Sequence, residues 1–250
     1  MTTPITRRRR RAFPELPAGG YSRIDGTVEF HQRVNALCAP DSVVVDFGAG
    51  RGRFVEDDVP FRRRLQNRRG CVRRVIGLDV DPAVLVNPTL DEAHVISVGA
   101  PLPMPDASVD LVVADHVFEH IDDPAWASRE LDRVLRPGGW ICARTPNRWG
   151  AIAVPARLVP NRWHDAVLAR VQPDKQSRDT FPTRYLLNRP SALRRWFPPD
   201  RFDDCSYMHE TEPAYAGRSP AAWTLFRGLA AITPAPLRSV YLVFLRKRAA

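Results

Sequence analysis

The residues with the clearest chemical potential lie in VVVDFGAGRGRF, positions 43–54. Three valines lead to Asp46, and Gly48, Gly50 and Gly52 follow at every second position. A glycine-rich turn after a strand lets the backbone approach a ligand closely and aims amide N–H groups at it. Two kinds of loop share that look. The dinucleotide loop cradles a pyrophosphate and spaces its glycines G-x-G-x-x-G. Here the third glycine comes one residue early, position 53 is Arg, and a carboxylate stands two residues before the turn. An acid at that place suits a cation better than a pyrophosphate. A second acid, Asp79, lies near the end of the run VIGLDV (75–80). A carboxylate offers two acceptor oxygens to a vicinal diol; the alternative for Asp79 is a helix cap or turn acid. His116 and His120 follow the apolar run DLVVAD (110–115) and are the candidates for a general base if the acceptor is protonated.

These groups need a frame. TVEFHQRVNALCA (27–39) has helical spacing and a polar face. Strands are predicted at 43–47, 75–80, 94–98, 110–115 and 140–145, with a helix starting near Gly50–Gly52. DDPAWASRELDRVL (122–135) reads as an amphipathic helix that stops at RPGG, broken by Gly138 and Gly139. Five strands alternating with helices or crossovers predict an α/β fold with a doubly wound, mostly parallel sheet. RFDDCSYM (201–208) and SVYLVFLRK (239–247) add two strands, making seven. SALRRWF (191–197) is a short helix.

The remaining segments read differently. Residues 1–20 suggest a disordered basic tail, and 21–250 one domain. Residues 146–190, rich in Pro, Arg and aromatics, suggest a cap inserted after strand five. Asn147 and Arg148 end that strand at the sheet edge where open α/β folds bind ligands, and so are acceptor-binding candidates. Trp149, Trp163, His164, Phe181, Arg184 and Tyr185 either line a pocket or form a satellite core under the cap. Residues 209–238 form a helical insertion before the last strand. Its SPAAWTLFRGLAAI (219–232) is expected to dock on the sheet; the alternative is an interfacial helix, should the acceptor be lipid-linked.

Composition narrows the class. The chain has 250 residues, 44% apolar and 26% charged, ordinary for a globular protein. No run approaches the length of a membrane span, and the arginine-rich start lacks the apolar core of a secretory signal. Cys38, Cys71, Cys142 and Cys205 are scattered, which indicates a cytoplasmic, reduced thiol state and neither a zinc site nor a disulfide framework. The net charge is +9, with arginines clustered at 7–11 and 62–74. Such clusters read as a patch for nucleic acid, anionic lipid or an acidic substrate, or as a solvated face. Only Phe61 adjoins the second cluster, which weakens base stacking.

D-x-G-x-G-x-G followed by an acid ending strand two resembles the class I S-adenosylmethionine-dependent methyltransferases. VIGLDVDP (75–82), LPMPDASVDLVVADHVFEHI (102–121) and ELDRVLRPGGWICARTPN (130–147) resemble further motifs of that family in the same order. The likeness covers roughly 27–147 and is closest to the small-molecule branch typified by quinone-biosynthesis methyltransferases. It implies a Rossmann-like fold, S-adenosyl-L-methionine as cofactor and S-adenosyl-L-homocysteine as product. It implies that Gly48, Ala49 and Gly50 pass under the methionine part, with Gly52 completing the turn. Asp46 would orient the ammonium group, Asp79 take both ribose hydroxyls and Val80 flank the adenine. Asp115 and His116 lie where the family wraps the methionine moiety. The family often reads the adenine amino group with an Asp at the position of Val98; backbone at Gly99 or Ala100 is the replacement. The 33 residues from Asp46 to Asp79 exceed the roughly 20 of a compact nucleotide-binding unit.

The implied function is methyl transfer to a small-molecule acceptor, by O-methylation of a glycan, quinone or other secondary metabolite. Alternatives are a nucleic-acid methyltransferase, disfavoured because no N/D-P-P-Y-type motif is present, and a non-catalytic protein that keeps the fold. A nicotinamide dehydrogenase is disfavoured by the glycine spacing. Peripheral membrane contact stays open.

Overall fold

The computed structural model describes residues 4–150, 183–213 and 219–249. In chain order the elements are α1 (Pro4–Ala12), α2 (Gly26–Ala36), β1 (Val43–Phe47), α3 (Pro60–Gln66), β2 (Arg74–Asp79), β3 (Glu92–Val95), β4 (Val109–Asp115), α4 (Pro124–Val134), β5 (Leu135–Pro146), α5 (Pro190–Trp196), β6 (Phe202–Asp204), β7 (Tyr207–His209), α6 (Pro220–Ile232) and β8 (Val240–Lys247).

The sheet order is β3-β2-β1-β4-β5-β8-β6, with β7 also on β8. The first five strands are parallel; β8 runs antiparallel to β5. The expected seven strands become eight because one edge strand is broken. β6 pairs with Leu245–Lys247, β7 with Val240–Leu242, and between them Ser206 Oγ takes the N–H of Phe244 at 3.0 Å. The Pro-Gly-Gly turn lies within β5, where the β4 register jumps from Val109↔Leu135 to Leu111↔Trp140.

Both faces of the sheet are covered, so its strands read as near-continuous apolar runs. Val45, Leu78, Val112, Ile141 and Val243 pack with Trp126, Leu131 and Val134 of α4 on one face. Val44, Leu111, Cys142 and Phe244 pack with Phe30 and Val34 of α2 on the other. Asp25 starts α2 by accepting the N–H groups of Thr27 and Val28.

Three expectations are corrected. The helix expected at Gly50–Gly52 is a short 3-10 turn at Arg53–Glu56, and α3 begins only at Pro60, whose fixed φ suits a first helical position. The first 20 residues are not a disordered tail through their described part: α1 is helical, and Phe13 and Leu16 behind it are buried against Trp223. In turn α6 does not dock on the sheet; Trp223 is its one buried residue and meets Phe13 edge-on, ring centroids 6.3 Å apart. Most of the cap expected over 146–190, including Trp163, His164 and Phe181, lies outside the described residues.

Candidate cofactor and acceptor site

The parallel strands end together at one edge, and the glycine loop leaves β1 there. Its first two amides are pinned to the end of β2: Gly48 and Ala49 N–H donate to the Leu78 carbonyl at 2.7 and 3.2 Å. Gly48 has φ +76°, and a Cβ there would lie 2.4 Å from Val117, so the glycine admits its own neighbour. A Cβ at Gly52 would strike Asn87 Oδ1 at 2.4 Å. Asn87 was missed in the sequence. Its amide donates to the carbonyls of both Ala49 and Gly50 at 3.1 Å, while its oxygen accepts from Thr89. Above Gly50 the space is open among the described residues: a Cβ there would meet only Asp79 Oδ2 of these, at 4.0 Å.

Asp79 accepts the N–H of Gly50 on one oxygen and that of Asp81 on the other, at 2.8 and 2.9 Å. Each oxygen keeps a lone pair, enough for two ribose hydroxyls. Asp79 is therefore also a turn acid in part, since it ties the loop to strand two. Val80 and Val98 are exposed apolar residues at this edge. Of the two backbone candidates for adenine, Ala100 is engaged on both sides, donating to Ser97 O and accepting from Trp126 Nε1. Gly99 takes no hydrogen bond among the described residues.

Beneath the loop runs a chain of buried charge that the sequence did not announce. Asp46 accepts no hydrogen bond among the described residues. Burial raises its pKa to about 6 against the nearby charge of Arg68, with Asp115 and Asp79 pushing the same way as burial. Arg68 is itself buried and donates to His31 Nδ1 at 2.6 Å. His31 Nε2 then donates to Asp115 at 3.2 Å. Desolvation holds His31 down to about 4, so it is the neutral link between two charges. Arg144 grips Asp115 with two bonds of 2.6 and 2.7 Å and reaches Thr27 on α2 at 2.8 Å. Burial would raise Asp115, but Arg144 and the His31 hydrogen bond hold it well below the usual carboxylate range. Asp115, expected near the methionine moiety, is therefore occupied as an anchor.

The extra residues between β1 and β2 are tied down in the same way. Arg62 pairs with Asp25 and Asp57, Arg69 with Asp91 and Arg74 with Glu92. Together with buried Arg68, these pairs take much of the 62–74 cluster away from a phosphate backbone.

His116 follows β4 in a left-handed conformation, φ +59°. Its ring is half exposed, and Nδ1 lies 3.2 Å from Glu119 Oε1. Glu119 is buried; burial would raise its pKa, but His116 and the Thr145 hydroxyl at 2.7 Å lower it. An ionised Glu119 accepts only, so Nδ1 carries the proton and Nε2 is left as an acceptor. His120 is partly buried, its N–H bonded to Val117 O.

At the end of β5 the expected acceptor contacts are redirected. Asn147 is fully buried, and its side chain is spent on backbone: it donates to Pro236 and Arg238 carbonyls at 2.9 and 2.8 Å and accepts from Trp149 N–H. It shapes a wall rather than offering a free amide. With Trp149, Pro190, Met208, Ala235 and Pro236 it lines a groove of about 380 Å3. Trp149 is half exposed there. Arg148 donates to the Tyr185 carbonyl. Arg184 pairs with Asp122, and the N–H groups of Arg184 and Tyr185 both meet Glu119 O, so this segment braces the residue whose carboxylate faces His116. His164 lies outside the described residues.

Residues 45–143 match the family model described as a methyltransferase domain. A protein of Mycolicibacterium smegmatis described as a "Probable S-adenosylmethionine-dependent methyltransferase" is 38% identical over 149 residues, 53% of this chain and 52% of that protein. The chain thus spans about half the length of that relative. Geranyl diphosphate C-methyltransferase from Streptomyces coelicolor A3(2), solved with Mg2+, geranyl diphosphate and S-adenosyl-L-homocysteine, has a TM-score of 0.52 at 15% identity over 89% of this chain and 76% of that one. The [4+2]-cyclase SpnF has a TM-score of 0.53 at 14% identity over 89% and 81%. At such identities the structural likeness speaks for the fold alone. The sequence matches make residues 45–143 similar to the methyltransferase domain of S-adenosylmethionine-dependent methyltransferases, and the order of the strands and the loop between β1 and β2 agrees with that likeness.

Proposed function

We propose that this chain transfers a methyl group from S-adenosyl-L-methionine to a hydroxyl of a small-molecule acceptor such as a glycan, quinone or other secondary metabolite. The observation that carries the reading is the open space above Gly50, bounded by Asp79 with lone pairs to spare and by Asp46 with no donor. The residues present fit the cofactor. Asp79 would accept the ribose hydroxyls, Val80 and Val98 would flank the adenine, and Gly99 backbone would meet its edge. Asp46 would face the ammonium group.

The cofactor brings a methyl group already activated on a sulfonium. The protein's tasks are then alignment, exclusion of water and removal of one proton. His116 Nε2 is the group suited to take the hydroxyl proton. Glu119 and Thr145 hold its ring and favour the imidazolium that forms. The groove beside Trp149 is the candidate acceptor seat, within the roughly 300–1,000 Å3 of small-ligand pockets.

Thermal shift and calorimetry with S-adenosyl-L-homocysteine test the cofactor half. Binding should stabilise the chain, and Asp79→Ala should weaken it by at least about 100-fold, the low end of the worth of two hydrogen bonds to a charged group. Unchanged affinity in that variant would sink the ribose assignment. Labelled methyl transfer to extracted metabolites tests the acceptor half. Cofactor binding with no transfer to any extract would favour a non-catalytic protein.

A further inference from the structure

We propose that α1 and α6 together form a docking surface for an anionic lipid membrane. The methyl-transfer reading does not support or require this; the observation is a helix face that no described residue covers, beside arginines that no described carboxylate pairs.

α6, PAAWTLFRGLAAI, contains no acid and a single arginine. Its inner side is held by Trp223 against Phe13 and Leu16. Its outer side carries Ala221, Leu225, Gly228, Leu229 and Ile232, spaced as one helical stripe about 16 Å long at 1.5 Å per residue. Leu225 is 61% exposed and Ile232 77% exposed. α1 lies alongside: Arg8 donates to the Pro220 carbonyl and to Thr224 Oγ1, at 3.2 and 2.7 Å. Arg9 is spent on Glu212. Arg7, Arg10 and Arg11 are exposed, and among the described residues no carboxylate pairs with them. α1 has no acid either.

Charge and chemistry select the occupant. A protein partner is recognised through directional polar contacts around an apolar centre. From Leu225 to Ile232 the stripe offers no side-chain hydrogen-bonding group, and Thr224 is already bonded within α6 to the Pro220 carbonyl. What is left is non-directional apolar burial flanked by cations. An anionic bilayer supplies the matching pair, acyl chains for the leucines and phosphate headgroups for the guanidiniums. The C-terminus of α6 runs straight into residues 233–237, where Ala235 and Pro236 wall the groove beside Trp149. A docked α6 would hold that groove at headgroup level.

Flotation of the full chain with phosphatidylcholine vesicles containing about 30% phosphatidylglycerol tests this, against pure phosphatidylcholine and at low and high salt. Binding is expected only to the anionic vesicles, weakening with salt. Leu225→Glu with Leu229→Glu should weaken it at least about tenfold, and so should Arg7, Arg10 and Arg11 changed together to Gln. Both variants should keep the unfolding temperature and the affinity for S-adenosyl-L-homocysteine, so a misfolded protein is recognised. No binding to anionic vesicles, or binding that the leucine pair leaves intact, would overturn the proposal. So would a vesicle-independent dimer that the leucine pair abolishes, which would make a second copy the occupant, or tighter binding to an oligonucleotide than to the vesicles.

Discussion

The two halves of the binding edge handle polar groups in opposite ways. On the β1–β2 side, Asp46 has no donor and Asp79 keeps a lone pair on each oxygen. On the β5–β8 side, Asn147 is fully satisfied by backbone, and what faces the groove is Trp149, Met208 and prolines. On the proposed reading, the first half recognises a fixed polar ligand. The second is built to hold a shape. Between them, His116 belongs to neither: Nδ1 is braced by Glu119 at 3.2 Å, and Nε2 lies 4.0 Å from Asp115 on a half-exposed ring.

That contrast can be broken at several points, the largest effect first. Removing the proposed base should hurt chemistry alone. His116→Ala should lower kcat by about 100-fold or more on a hydroxyl acceptor while cofactor affinity stays level, and steady-state kinetics beside calorimetry would show it. An undiminished kcat would leave the acceptor without need of a base. On the reading side, Gly48→Ala should cost about 1–3 kcal/mol, because it adds a Cβ 2.4 Å from Val117 at φ +76°. Chemical denaturation measures that loss, and a second change, Val117→Ala, should recover the packing part but not the backbone part. On the shaping side, Asn147→Ala should cost about 1–3 kcal/mol by orphaning two carbonyls and one N–H. It should raise the KM for acceptor and leave cofactor affinity unchanged. The reverse pattern would mean that Asn147 serves the cofactor.

The smallest effect is in pH and sharpens the reading half. Asp46 is raised to about 6, so the stability linked to it is present below its ordinary value near 4 and lost as pH rises through about 6. His31 is lowered to about 4, so its contribution is present above about 6.5 and lost as pH falls through about 4. The two oppose each other over one window. Unfolding temperature in the wild type should therefore change little between pH 4 and 6.5. Asp46→Asn should expose a steady loss on acidification, and His31→Gln should tilt the slope the other way. Cofactor affinity should fall below about pH 6, where Asp46 takes a proton and no longer attracts an ammonium; in Asp46→Asn it should be weak and flat.

The reading half was the legible half. Asp46, the three glycines and Asp79 announce themselves because residue type and order do the work: alternate glycines need particular φ values, and an acid must end a strand. The parallel sheet was legible for a similar reason, since apolar runs buried on both faces leave a plain signature. Asn87, His31, Arg68 and Arg144 were not. Arg144 gave a faint signal, a cation inside the apolar run WICART, and His31 sat on the face of α2 that turns inward. Arg68 looked like any other member of an arginine cluster; only the fold distinguishes the one that is buried between Asp46 and His31 from those that pair at the surface. Asn147 was found in sequence but misread, because its position is set by the strand and its role by loop carbonyls some 90 residues away. The break in the last edge strand depends on a single serine hydroxyl standing in for backbone.

Asn87 and Asp79 bear on turnover. The first binds the loop from its carbonyl side and the second from its amide side. On the proposed reading, the seat for the ribose and the seat for the methionine part are therefore tied together through one loop. For the loop to peel back, the bonds of Asn87 and Asp79 and the two amide bonds to Leu78 would all have to break, so on the proposed reading changes around Asn87 should alter how tightly the seat holds a cofactor.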